Sequence, residues 1–116
     1  MKTEENTTID HVGIKVRDLE KSIKFYSMVL QPLGLEEQNG SFGPLAISEG
    51  KERTIMHLAF RTGKRANVDA FYKAALMAGG KDNGPPGVRA DYGASYYAAF
   101  VFDLDGNNLE AVCLAG

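Results

Sequence analysis

One cysteine, two histidines and no long apolar run make up the short supply of this 116-residue chain. Each scarcity excludes something. Cys113 has no second cysteine to pair with, so an internal disulfide is ruled out and a reduced, cytoplasmic setting is the expectation. No stretch approaches the roughly 18 to 20 apolar residues that a bilayer crossing needs, so no membrane segment is expected. Residues Met1 to Thr8 are polar and include Glu4 and Glu5, without the basic start and apolar stretch of a secretory signal. Basic residues do not cluster among aromatics, zinc-finger spacings are absent and the net charge is -2, which argues against nucleic acid as a partner. Nor is there a phosphate loop, because Gly84 and Gly87 flank Pro85-Pro86 instead of leading from a strand into a helix.

What is present is an internal repeat. A shift of 46 positions lays His11 on His57, Phe25-Tyr26 on Phe71-Tyr72, Leu30 on Leu76 and Gly34 on Gly80. Such self-similarity implies two copies of one supersecondary unit with a cleft between them. The length suits one domain over residues 1-116, with a first module at about 8-53 and a second at about 54-115.

Each copy reads as a strand, a helix and further strands. Ile9 to Val16 alternates, with Ile9, His11, Gly13 and Lys15 on one face and Asp10, Val12, Ile14 and Val16 on the other. Asp18 is placed to cap a helix whose stripe is Leu19, Ile23, Tyr26 and Leu30, and Pro32 and Gly34 end it. Short extended pieces follow, broken at Asn39-Gly40 and Gly43-Pro44. Thr54 to Arg61 repeats the first strand, and Val68, Phe71, Tyr72, Ala75 and Leu76 repeat the helix up to Gly79-Gly80. Lys81 to Gly87, with its two prolines, reads as a loop. Tyr97 to Phe102 and Asn108 to Leu114 read as a final hairpin.

Parity then selects candidate residues. His11 and His57 lie opposite the apolar set that a covering helix buries, so both are expected to line a common concave surface. Glu110 lies opposite Leu109, Ala111 and Cys113. A carboxylate in so apolar a strand demands a cation, a hydrogen-bond network or an open cleft, and Lys15 and Arg61 are the charged residues on that face. Two imidazoles and a carboxylate can hold Zn²⁺, Ni²⁺, Mn²⁺ or Fe²⁺ with positions left for substrate. Arg89, Tyr92, Tyr96 and Tyr97 form a cluster suited to gripping a carboxylate or a planar molecule, while Cys113 falls on the core parity.

Ile9-Asp10-His11-Val12-Gly13-Ile14, the helix Asp18 to Tyr26 and the distal Asp103-Leu104-Asp105-Gly106-Asn107-Asn108-Leu109-Glu110 together resemble the glyoxalase/bleomycin-resistance/dioxygenase superfamily, the vicinal oxygen chelate proteins. The resemblance runs from Ile9 to Cys113. It implies an α+β fold of two tandem βαβββ modules curling into an open, incomplete barrel around a central cleft, with the first module shortened. It also implies metal ligands at His11, His57 and Glu110. A fourth ligand has no counterpart, because the matching strand, about Pro44 to Glu49, offers Leu45, Ala46, Ile47 and Ser48, with Glu49 only at its edge.

The expected function is that of a metal-dependent lyase or isomerase which chelates adjacent oxygens of a small substrate and stabilises an oxyanion. Arg89, Tyr92 and Tyr97 would bind that substrate, and Glu49 is a candidate base. Alternatives are a metal-free small-molecule or drug-binding protein and an extradiol-type dioxygenase. A homodimer is also expected, since the shortened module leaves an edge for a second copy to cover.

Overall fold

The computed structural model describes residues 7-52 and 55-115. The chain runs β1 (Val12–Val16), α1 (Leu19–Leu30), β2 (Glu37–Gln38), β3 (Ser41–Phe42) and β4 (Leu45–Glu49), then β5 (His57–Arg61), α2 (Arg65–Met77), β6 (Lys81–Val88), β7 (Tyr97–Phe102) and β8 (Asn108–Cys113). The order βαβββ therefore occurs twice. Each copy makes one four-stranded sheet, β1-β4-β3-β2 and β5-β8-β7-β6, and among the described residues the two do not close into a barrel. In both, the first strand runs parallel to the last and the remaining pairs are antiparallel. The expected boundary between the copies, near residues 53 and 54, and the reading of Met1 to Asn6 lie outside the described residues.

Local chemistry explains the elements. Asp18 accepts from the Lys21 amide at 3.0 Å and caps α1, while Glu49 Oε1 accepts from the Leu19 amide at 3.0 Å. A short 3₁₀ turn over Gln31–Leu33 closes on Gly34, whose φ of 84° needs no Cβ. Asn39 and Gly40 at positive φ join β2 to β3. The first copy is the shorter one, with two residues in each of β2 and β3 against eight in β6 and six in β7.

One expectation changes here. Lys81 to Gly87 is no loop but most of β6. Two prolines are tolerated because β6 is an edge strand that pairs only with β7, and the register shifts between Asp82 and Gly84 and again between Gly84 and Gly87, so the prolines sit in a bulge.

Both helices and the helix-facing sides of both sheets share one core. Ile14, Val16, Phe25, Tyr26, Val29, Leu30, Phe42 and Leu45 from the first copy join Val68, Phe71, Ala75, Val101, Leu109, Ala111 and Cys113 from the second. The β7-β8 turn stitches the copies together. Asp103 accepts from the amides of Asp105 and Asn107 at 2.9 and 2.7 Å and from the Tyr26 hydroxyl of α1. Asp105 accepts from the Arg17 backbone amide and guanidinium, both at 3.1 Å, and Asn107 accepts from the Met56 amide at 2.8 Å. Burial, reinforced by the Asp103 charge, holds the Tyr26 hydroxyl protonated well beyond the usual tyrosine range. These buried polar groups are thus mutually satisfied, which makes the joint specific in a way that apolar packing alone would not.

Candidate functional site

Both helices cover one side of their sheets, so the opposite side is where polar residues can gather. On the second sheet, β5 turns Leu58 and Phe60 toward the core and leaves His57, Ala59 and Arg61 on the exposed parity. Register places Glu110 beside Ala59 on one side and beside Phe100 on the other. Glu110 is only 2% exposed, yet both of its oxygens have partners. His57 Nε2 lies 2.9 Å from Oε1, and the Tyr96 hydroxyl donates to Oε2. A carboxylate accepts, so the His57 ring donates from Nε2, which leaves Nδ1 as the ring nitrogen not engaged by Glu110. The imidazole side chain is 55% exposed and so open to a substrate. Tyr96 is pushed up to about 12, first by its hydrogen bond to Glu110 and then by removal from water.

Beside this trio lies an open cleft of 470 Å³ lined by Asn83, Gly84, Arg89, Asp91, Tyr92 and Phe100, among others. Phe100 is the shared wall. The His57 ring stands 6.4 Å from the Phe100 centroid, and the Arg89 guanidinium 5.3 Å. Tyr92 and Tyr96 are in ring contact at 5.1 Å, which joins the cleft to the trio.

The structure brings only some of the expected residues here. His57, Glu110, Arg89 and Tyr92 gather on this face. Tyr97 does not: it has the other parity, its hydroxyl donates to Asp69 of α2 at 2.6 Å and Arg65 lies 4.8 Å over its ring. Glu49 is engaged at the α1 N-terminus. Lys15 and Arg61 leave the pairing of Glu110 to His57 and Tyr96. His11 precedes β1 and bonds Asp10 at 2.9 Å, with both side chains exposed. Tyr96, grouped with Arg89, Tyr92 and Tyr97 in the sequence, was not expected to meet Glu110, although the alternation of β7, carried back one step, puts it on the Glu110 face with Ala98 and Phe100.

Three donors at one point are what the expected metal requires. Among the described residues no three His, Cys, Asp or Glu side chains form a group that could hold an ion. His57 stands 2.9 Å from Glu110 while His11 bonds Asp10, so the described residues of one chain do not bring the three expected ligands to one point.

No family model matches the chain, and no curated protein does either. Solved structures do. The chain is similar to a glyoxalase/bleomycin resistance protein from Albidiferax ferrireducens T118, at 29% identity, TM-score 0.77, 90% of this chain and 97% of that one. A glyoxalase/bleomycin resistance protein/dioxygenase family enzyme from Burkholderia phytofirmans PsJN follows the same fold at 17% identity and TM-score 0.71, covering 93% and 99%. So does a variant of the fosfomycin resistance protein FosX from Listeria monocytogenes, at 22% identity and TM-score 0.69, covering 96% and 92%, complexed with Mn(II) and 1S,2S-dihydroxypropylphosphonic acid. Among the described residues no helix is long and apolar enough to cross a membrane.

Proposed function

Taking this chain as a glyoxalase/bleomycin resistance/dioxygenase superfamily protein, we propose an enzyme that moves a proton on a small, oxygen-rich substrate, as an isomerase or lyase. The observation that carries the reading is the chain of contacts from His57 through buried Glu110 to Tyr96 on an open face. His57 Nδ1 takes a proton from carbon next to a substrate carbonyl, and the electron pair moves onto the carbonyl oxygen. Glu110 fixes the ring and its tautomer, and it faces the imidazolium that results. Tyr96 holds the second Glu110 oxygen. Where the deprotonated carbon bears a hydroxyl, the hydroxyl proton passes to the former carbonyl oxygen and His57 returns the abstracted proton to the former carbonyl carbon, completing an isomerisation; where the next carbon bears a leaving group, that group departs with the electron pair, completing an elimination.

The test is solvent exchange in D₂O, followed by proton NMR over a panel of α-hydroxycarbonyl compounds. The wild type should catalyse exchange in at least one of them, and His57→Ala should lower it about 100-fold. Exchange no faster than in buffer across the panel leaves a binding protein in its place.

A second reading rests on strand edges. Among the described residues β1 and β5 each pair with a strand on one side alone, and His11 sits exposed where β1 begins. A homodimer covering those edges would bring His11 of one copy toward His57 and Glu110 of the other and complete a divalent metal site. Metal analysis of the sedimenting dimer, purified without chelator, tests it. Stoichiometric metal lost in both His11→Ala and His57→Ala supports the site, and negligible metal in the wild type removes it.

A further inference from the structure

The Gly84-Pro85-Pro86-Gly87 bulge of β6 has no evident use in pairing, since it interrupts the ladder with β7 twice. Its geometry shows what it accommodates. A Cβ built on Gly87 would come 3.1 Å from Arg89 Nη1, and one built on Gly84 would come 3.1 Å from Arg89 Nη2 and 3.1 Å from Phe100 Cδ1. The guanidinium therefore lies close against the two glycines, where an added Cβ would press on it by a few tenths of an ångström. Pro85 turns its carbonyl to Nη2, and the Phe100 ring supports the guanidinium from beneath.

Every contact that fixes Arg89 is uncharged. Asp91 lines the same cleft, yet among the described residues no carboxylate forms an ion pair with Arg89. A cation held in place by a carbonyl and an aromatic face, with its charge unanswered, is prepared for an anion from outside. Phe100 also touches His57, so an anion on Arg89 lies across one ring from the imidazole.

We propose that Arg89, seated on the β6 bulge, is the specificity-determining residue of this cleft and that the substrate carries a carboxylate. The substrate class deepens the proton-transfer reading and rests on it, but the binding step can be tested alone. Benzoate and its neutral isostere benzamide are the probes, titrated into isotope-labelled protein by NMR. Benzoate should saturate shifts at the Arg89 side chain and the Phe100 amide, and benzamide should not. Arg89→Gln should weaken benzoate about tenfold or more, and Gly87→Ala, which keeps the charge but crowds its seat, about threefold. Equal binding of the two probes, no saturable benzoate binding, or indifference to Arg89→Gln and Gly87→Ala overturns the assignment. Arg89-dependent benzoate binding in a protein that catalyses no exchange would keep this inference and end the catalytic one.

Discussion

Where the second sheet places Glu110, the first places Ala46, and where the second places Phe100, the first places Ser41. The ladders make the correspondence: Gly13 pairs with Ala46 and Ala46 with Ser41, as Ala59 pairs with Glu110 and Glu110 with Phe100. The helix-facing parity is kept, with Leu45 answering Leu109 and both buried. Duplication thus preserves the side that folding needs and frees the other. Burial of Leu45 and Leu109 stabilises the sheet whatever stands opposite them, whereas Glu110 is tolerated only with His57 and Tyr96 as partners. The first face retains a histidine, but its carboxylate partner is the exposed neighbour Asp10 and not a buried residue of the sheet.

The largest expected effect comes from making the second face like the first. Glu110→Ala leaves His57 free to rotate and Tyr96 without its acceptor, so exchange activity should fall about 10²- to 10³-fold. Stability should change much less, by about 1-2 kcal/mol in denaturant unfolding, because a buried charge is removed together with its hydrogen bonds. Activity within a few-fold of wild type would show that the two faces do not differ in function.

A smaller, sharper contrast lies between the histidines. If the asymmetry between the faces is real, His11→Ala should leave exchange within about twofold of wild type while His57→Ala does not. Equal losses would erase the contrast and favour the two-chain metal site, since only there do both rings meet one centre.

Much of this asymmetry could be read before any fold was known. Alternation along the last strand was enough to separate Glu110 from Leu109 and Cys113, and the repeat was enough to pair His11 with His57. The same alternation applied to Tyr96 and Tyr97 would have sent the first to the cleft and the second under α2. Two features had no local signal. Gly84-Pro85-Pro86-Gly87 looks like a loop because nothing in its composition says that an edge strand of eight residues encloses it. The distance of His11 from Glu110 depends on how the two sheets sit relative to each other. That placement is set by the shared helical core and by Tyr26 and Arg17 meeting the β7-β8 turn, contacts remote in sequence.

The smallest effect concerns Tyr96 and isolates the carboxylate of the second face. In the fold this phenol is pushed up to about 12 from 10.0, with the Glu110 hydrogen bond as the first cause. Below pH 10 both folded and unfolded chains hold the proton, and the contribution of Tyr96 to stability is fully present. Between about 10 and 12 only the folded chain still holds it, so the unfolded state binds fewer protons and stability falls as pH rises through the window. Tyrosinate absorbance during alkaline titration should lose a late step in Tyr96→Phe. In Glu110→Gln that step should move toward 10, because a neutral amide no longer opposes the phenolate. Tyr97 provides the control, since its hydroxyl is raised first by its hydrogen bond to Asp69, on the helix side of the sheet, and should be indifferent to the Glu110 substitution. A late step unmoved by Glu110→Gln would mean that the carboxylate does not hold Tyr96, and the trio would reduce to the His57-Glu110 pair.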